Sequence, residues 1–343
     1  MRTAFRIKFG LLLMTVLLVQ GCGGGGEGSV GASNFGNLPD STRNIPVNST
    51  SNTPTGIIEE NFVQLATASI ALLNNVAADN TAGRSDPTLT LSNVLLGMIF
   101  DIESFRLGIN PPCGIDTIQP GSSLDSYLIT ITECSISGAL ITASINIDNY
   151  DNSQTQPQQI SVNSNEWSAR ADITISSMEF SLNNKKFNYT GPLTFSASYR
   201  EENSPGKELK VSLSSTQNLT VLEEIEAIAN GTPTIFRDDL QNNFTMVSTY
   251  NPSDPAYSLT INGDISGRVT ANPVLIQTDP PFSWLGGLPN PNAGKMTIFD
   301  STSSSKIEIT AAITGNEVNV AYDNNGNGII DSEETISWPI NII

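Results

Sequence analysis

The chain of 343 residues contains no histidine. That absence removes Ser-His-Asp and Cys-His catalysis, histidine general bases and the usual histidine metal sites. Carboxylate-pair and Ser-Lys chemistry pass this filter. With 34 Asp+Glu in the chain, however, acidic residues are too common for their presence to select a catalytic pair. Cations are scarce, at 16 Lys+Arg, and they form no basic stripe. Such a balance repels nucleic-acid phosphates, so no nucleic-acid partner is expected. There is no strict internal repeat, which argues against a propeller or β-helix. An enzyme is therefore the less favoured expectation.

The first 22 residues, "MRTAFRIKFGLLLMTVLLVQGC", place a basic segment (Arg2, Arg6, Lys8) before an apolar run from Phe9 to Val19. That run is too short to span a bilayer as a mature helix. Its ending, "VQGC", resembles the lipobox of bacterial lipoproteins. The resemblance implies cleavage after residue 21 and acylation of Cys22, which anchors the chain to a membrane. Three acyl chains exceed the roughly two signals that stable anchoring needs. Gly23 after the cysteine favours the outer membrane by the sorting rule of such lipoproteins. Residues 23–56 are rich in Gly, Ser, Asn, Thr and Pro, and lack the apolar surface to offset the entropy of ordering. They read as a flexible tether reaching about 110 Å at full stretch. The glycine run is not a phosphate loop, because no strand precedes it and no helix follows.

Removing residues 1–21 takes away three cations and leaves 13 Lys+Arg against 34 Asp+Glu, a net charge of −21. With Cys22 lipidated, Cys113 and Cys134 remain. In an oxidising compartment an isolated pair is read as a disulfide.

Residues 57–343 read as one mainly β domain with a helical start over 57–108 and a β body over 109–343. Ile58, Phe62, Leu65, Leu72 and Val76 recur at helical spacing, interrupted by Ser69. A second helix is expected over "SNVLLGMIFDIESFRLG", with Ser92 as N-cap and Gly108 as stop. From residue 124 the period becomes two. Tyr127, Ile129 and Ile131 share a face, as do Ile141, Ala143, Ile145 and Ile147. The same holds for Leu193, Phe195, Ala197 and Tyr199, and for Ile307, Ile309, Ala311 and Ile313. These are half-buried antiparallel strands. A phase slip between Ile175 and Met178 marks Ser176 and Ser177 as a bulge. About a dozen strands are expected, forming a large curved sheet, sandwich or open barrel. "VLEEIEAIANG" reads as a short helix whose Glu223, Glu224 and Glu226 form a solvated charge run. Phe282 and Trp284 lie in a long loop, where Trp284 is expected to plug an open end of the sheet. An aromatic that stacks a sugar or peptide is the alternative.

The order from Cys113 onward ("TITEC", a second strand, then "VAYDNNGNGIIDSEETISWPI") resembles proteobacterial lipoproteins that carry no known activity. The stretch "DNNGNGIIDSEE", residues 323–334, has the spacing of an EF-hand-type calcium loop. Asp323, Asn325 and Asn327 would present side-chain oxygens, and Gly328 permits the turn. The Ile329 carbonyl, Asp331 and Glu334 would complete the set, with Ile330 as apolar anchor. The competing reading is a metal-free hairpin turning at Asn325-Gly326 or Asn327-Gly328. Alternation resumes only at Ile336, Trp338 and Ile340, which favours a loop of about twelve residues. Its flanks read as strands, with Val318, Val320 and Tyr322 on one face of the first. The helix opening of EF-hand sensors is therefore excluded, and a structural calcium is expected. Two asparagines lower the site's charge and place affinity near 10⁻⁴–10⁻³ M, on the order of the weak extracellular class.

The sequence thus points to a membrane-anchored structural or binding module for an envelope protein or polysaccharide. An Asp/Glu carbohydrate-active enzyme and a carrier of an apolar ligand are the alternatives. Replacing Cys113 and Cys134 by serine is expected to cost about 3 kcal/mol of unfolding free energy. Urea titration with and without reductant reads this, and an unchanged midpoint would mean that no bridge forms.

Overall fold

The computed structural model describes residues 56–337, apart from 77–90, 107, 109–117, 137–138, 153–165, 183–184, 202–206, 216, 226–233, 242, 252–255, 268–269, 271 and 285–289. The signal segment, Cys22, the tether up to residue 55, Cys113, Trp338 and Ile340 lie outside the described residues.

Two helices, α1 (Phe62–Val76) and α2 (Leu91–Arg106), precede sixteen strands. The first six are β1 (Ile118–Pro120), β2 (Tyr127–Ile136), β3 (Ala139–Asn152), β4 (Glu166–Leu182), β5 (Lys185–Glu201) and β6 (Lys207–Ser215). Then come β7 (Leu219–Ile225), β8 (Thr234–Leu240), β9 (Thr245–Asn251), β10 (Ala256–Gly267) and β11 (Val274–Thr278). The last five are β12 (Phe282–Trp284), β13 (Lys295–Phe299), β14 (Lys306–Ala311), β15 (Glu317–Asp323) and β16 (Ser332–Ser337). All pair antiparallel in one sheet, ordered β1-β2-β3-β4-β5-β6-β9-β10-β11-β13-β14-β15-β16. Among the described residues β1 and β16 do not pair with each other, so the sheet has two ends.

Between β5 and β10 the sheet holds two short pairs end to end. Residues 193–201 of β5 pair β6, while residues 185–190 pair β7. Residues 256–262 of β10 pair β9, while residues 265–267 pair β8. A glycine stands at each handover: Gly191 (φ 133°) and Gly263 (φ 129°). A Cβ at Gly191 would press on the Asn218 carbonyl, and one at Gly263 would overlap the Phe244 backbone. Both conformations are ones L side chains rarely adopt.

The period-two pattern is realised as expected. Ile141, Ala143, Ile145 and Ile147 are buried on β3, as are Ile307 and Ile309 on β14, while Thr142, Asn146 and Asp148 face out. Register shifts between Ile175 and Met178 confirm the bulge at Ser176–Ser177. The buried face closes on the two helices. Helix α1 packs on α2, β14 and β15, and α2 packs on β6. Phe100 meets Trp167 of β4 edge to face, and Glu103 accepts a 2.6 Å bond from the Tyr150 hydroxyl of β3. A sheet that meets one helical pair at β3, β4, β6, β14 and β15 must curl around it.

Several expectations need correction. In α1 the buried face is Phe62, Leu65, Ala66 and Ile70. Ile57 is buried before the helix, and Ile58 is 47% exposed. Ser69, the polar residue in that stripe, is buried with it, and the side chains of Leu72 and Val76 lie outside the described residues. Ser92 lies inside α2 and is buried, because the helix starts at Leu91. Gly108 does close α2, at φ 69° with its N–H on the Phe105 carbonyl. Ile313 is 85% exposed, since β14 ends at Ala311 and Ile313 belongs to the following turn. "VLEEI" is strand β7, and Glu223 is buried, in register with Phe187 of β5 and Phe236 of β8. Phe282 and Trp284 lie in strand β12 rather than a loop; Phe282 is buried and Trp284 packs partly against the core. Cys134 packs against the core, and Cys113 lies outside the described residues.

Gly263→Ala is expected to destabilise by about 1–3 kcal/mol, the cost of forcing a side chain into this region. Leu124→Ala, at a 95% exposed turn residue, is expected to stay within about 0.5 kcal/mol. Urea midpoints compare the two.

Candidate metal centre

The loop between β15 and β16 is wound by one side chain. Asp323 ends β15 with no exposed surface. Its Oδ1 accepts the N–H groups of Asn325 (3.2 Å), Gly326 (2.7 Å) and Asn327 (3.2 Å), and its Oδ2 accepts that of Gly328 (2.7 Å). Four donors on one carboxylate turn the backbone tightly. Gly326 (φ 69°) and Gly328 (φ 85°) supply the left-handed steps. Two shorter turns sit inside this one. Asn325 Oδ1 accepts from the Asn327 N–H at 3.1 Å, and Asn327 Oδ1 from that of Ile329 at 2.7 Å. Burial pushes the Asp323 carboxyl up, but the N–H donors of Gly328, Asn325 and Gly326 and the Lys306 ammonium outweigh it. The group is held below its ordinary range. Lys306 Nζ stands 3.6 Å from Oδ2.

The second half of the loop is shorter than expected. Strand β16 begins at Ser332, so residues 324–331 form the connection rather than the full stretch 323–334. Asp331 turns back on the first half, its Oδ2 accepting the Asn324 N–H at 2.8 Å while its own N–H bonds the Tyr322 carbonyl. Ile329 and Ile330 are 67% and 37% exposed, so Ile330 is no buried anchor. Glu334 is an exposed residue of β16 opposite Val320.

This arrangement tests the fit to calcium. The first half, Asp323 to Ile329, has the wound backbone and the Asp/Asn oxygen donors that a hard cation requires. The acids are not gathered: among the described residues no three His, Cys, Asp or Glu side chains converge on one point. A cation here would draw on Asp323, Asn325, Asn327 and the Ile329 carbonyl. Glu334 and Asp331 are set apart by β16 and by the Asn324 bond.

A second carboxylate, absent from the sequence reading, builds the floor beneath the loop. Asp300 follows β13 and is buried. It accepts from the Ile57 N–H (2.9 Å), the Thr302 N–H (2.8 Å), the Thr302 hydroxyl (2.6 Å) and the Ser303 hydroxyl (2.8 Å). Burial raises the Asp300 carboxyl, but these donors overcome that and hold it at about 2. The turn it organises meets the loop: the Ser305 hydroxyl donates to the Asn324 carbonyl at 2.8 Å. The composition "DSTSSS" marks a side-chain-capped turn, but its long-range partner cannot be read from it.

Elsewhere, burial pushes Asp101 of α2 up to about 7. A carboxyl near neutrality is one mark of acid–base chemistry. Its neighbour Glu103 is committed to Tyr150 and to Arg106, whose Nη1 lies 3.0 Å away. No family model matches the chain, and neither does any curated protein or solved structure.

Because its folded pKa lies below the ordinary value of about 3.9, Asp300 contributes stability above that pH. The contribution is lost as pH falls through about 2. Melting temperatures of the wild type and Asp300→Asn are therefore expected to differ by a constant amount above pH ~4 and to converge towards pH ~2. A gap that persists unchanged at pH ~2 would show that the charge is not the source.

Proposed function

We propose that the chain is a membrane-anchored lipoprotein whose non-enzymatic extracytoplasmic β domain is a structural or binding module with a calcium-stabilised C-terminal hairpin. The anchor rests on the "VQGC" ending and Cys22, and outer-membrane placement rests on Gly23. The observation that carries the calcium reading is the winding of residues 323–329 around Asp323. It presents Asp and Asn oxygens with the spacing hard cations bind. Bound calcium would supply charge neutralisation and a fixed loop shape, with no chemical step. The strands on both sides of the loop support a structural ion rather than a sensor.

The packing of Leu65, Ile70, Leu95, Ile99 and Ile102 inside the curled sheet supports recognition at the outer surface or ends of the domain, not in an internal chamber. The partner class is an envelope protein or polysaccharide. A bridge between Cys113 and Cys134 belongs to the same reading, supported by the isolated pair they make once Cys22 is lipidated.

Thermal melting of the mature chain with Cys22→Ser, in chelator and in about 1 mM calcium, tests the metal. At an affinity near 10⁻⁴ M the ion adds roughly 1.4 kcal/mol, a rise of a few degrees. Asp323→Ala is expected to abolish the rise and also to lower the melting point in chelator, since it unwinds the loop. No shift up to about 10 mM calcium would leave the stretch a metal-free turn.

A further inference from the structure

The point where the tether joins the body is clasped to residues more than two hundred positions away. The Ile57 N–H is bonded to Asp300, and the Ser332 hydroxyl donates to Glu59 Oε1 at 2.6 Å. Phe62 stacks on Tyr322, with centroids 5.5 Å apart and planes at 19°. Asn61, itself buried, ties the segment internally. It accepts the Ile58 N–H at 2.9 Å and donates to the Gly56 carbonyl at 3.0 Å. Gly56 lies so close to Asp300 that a Cβ there would overlap Oδ2.

These contacts do not end at the clasp. From the Ile57 N–H a polar chain runs through the Asp300 carboxylate to the Ser303 hydroxyl, whose oxygen accepts the Ser305 N–H at 3.4 Å, and the Ser305 hydroxyl carries it on to the Asn324 carbonyl. A second line runs from the Phe62 ring to Tyr322, whose hydroxyl donates to Asn324 Oδ1 at 2.9 Å. Both lines reach Asn324, the residue next to Asp323. Gly326 completes the contact, since a Cβ there would press on the Ser304 carbonyl. The segment holding the tether and the wound loop therefore share one hydrogen-bonded scaffold built on the buried Asp300, Ser305 and Tyr322.

We propose that residues 56–62 and the loop 323–331 form a coupled clasp, a conformational device in which loosening either end loosens the other. Tension on the tether enters the body at Ile57 and is passed through Asp300 and Ser305 to the C-terminal hairpin. The device also retains α1 inside the sheet, because α1 starts at Phe62. Every link is made by protein atoms, so the coupling does not depend on the calcium reading. Energetic coupling between sites is reciprocal, and this gives the test its shape.

Amide hydrogen exchange of the mature chain, measured in chelator, reads both ends. Asp300→Asn is expected to speed exchange at the Gly326 and Gly328 amides by roughly tenfold, the order of one lost hydrogen bond. The β3 and β4 amides should be left unchanged. Asp323→Asn is expected to speed exchange at the Ile57 amide by a similar factor. If either carboxylate variant fails to fold, Ser305→Ala tests the middle of the chain with both carboxylates intact and is expected to speed exchange at both ends. Acceleration confined to the mutated end in these variants overturns the proposal.

Discussion

A sheet with one apolar face must hide that face, and in this protein the demand organises everything else. Strands β3, β4, β5, β10 and β14 send Ile145, Ile173, Phe195, Ile261 and Ile309 to the same side, where they are buried. A flat sheet of this width would need a second sheet against it. The described chain offers two helices of 15 and 16 residues. Right-handed twist lets the sheet curl until its own strands share the small apolar payload of α1 and α2. At roughly 25 cal/mol per Å² of apolar surface, each buried Leu or Ile contributes about 1.5–3 kcal/mol, so the helices are as necessary to the strands as the strands are to them. The handover glycines at 191 and 263 solve the same problem locally. They let two half-length pairs occupy the width between β5 and β10.

Among the described residues the curled sheet keeps two edges, β1 and β16, and the start of the body meets the C-terminal hairpin at one junction. At the β16 edge, Glu333 and Glu334 put charge where a strand could otherwise pair with a second chain. At the junction, Asp300 and Asp323 act alike: each is a buried carboxylate satisfied by donors from a tight turn. Burial of an ionised group is tolerated when its oxygens are filled. Asp300 uses its capacity to bind the start of the body. Asp323 uses its own to wind a loop with further oxygens on its rim. The same geometry holds the loop in shape with protein donors alone.

Legibility followed the range of the interactions. Period-two strands and the Ser176–Ser177 bulge could be read because burial on one face dictates them locally. Helical spacing places Ile58 on the apolar face of α1, but residues 59–61 form a turn that precedes the helix and leaves Ile58 outside it. "VLEEI" looked helical from its glutamates, but pairing on both sides made it β7 and buried Glu223. At 332–334 the polar run that read as loop is edge strand, where charge protects the edge and masks the alternation. In the loop, Asp323, Asn325, Asn327 and Gly328 were legible from their spacing. Asp300 was not, because its partner at Ile57 is 243 positions away and no local pattern encodes it.

The central claim is that the loop wound by Asp323 is a cation site built on an already folded turn. A high-resolution crystal structure of the mature chain grown in about 10 mM calcium tests it most directly. The account requires an ion ringed by Asp323, Asn325, Asn327 and the Ile329 carbonyl at about 2.3–2.6 Å, with the turn's N–H bonds to Asp323 retained. An empty loop at that concentration, or an ion bound elsewhere with the loop unchanged, would contradict it.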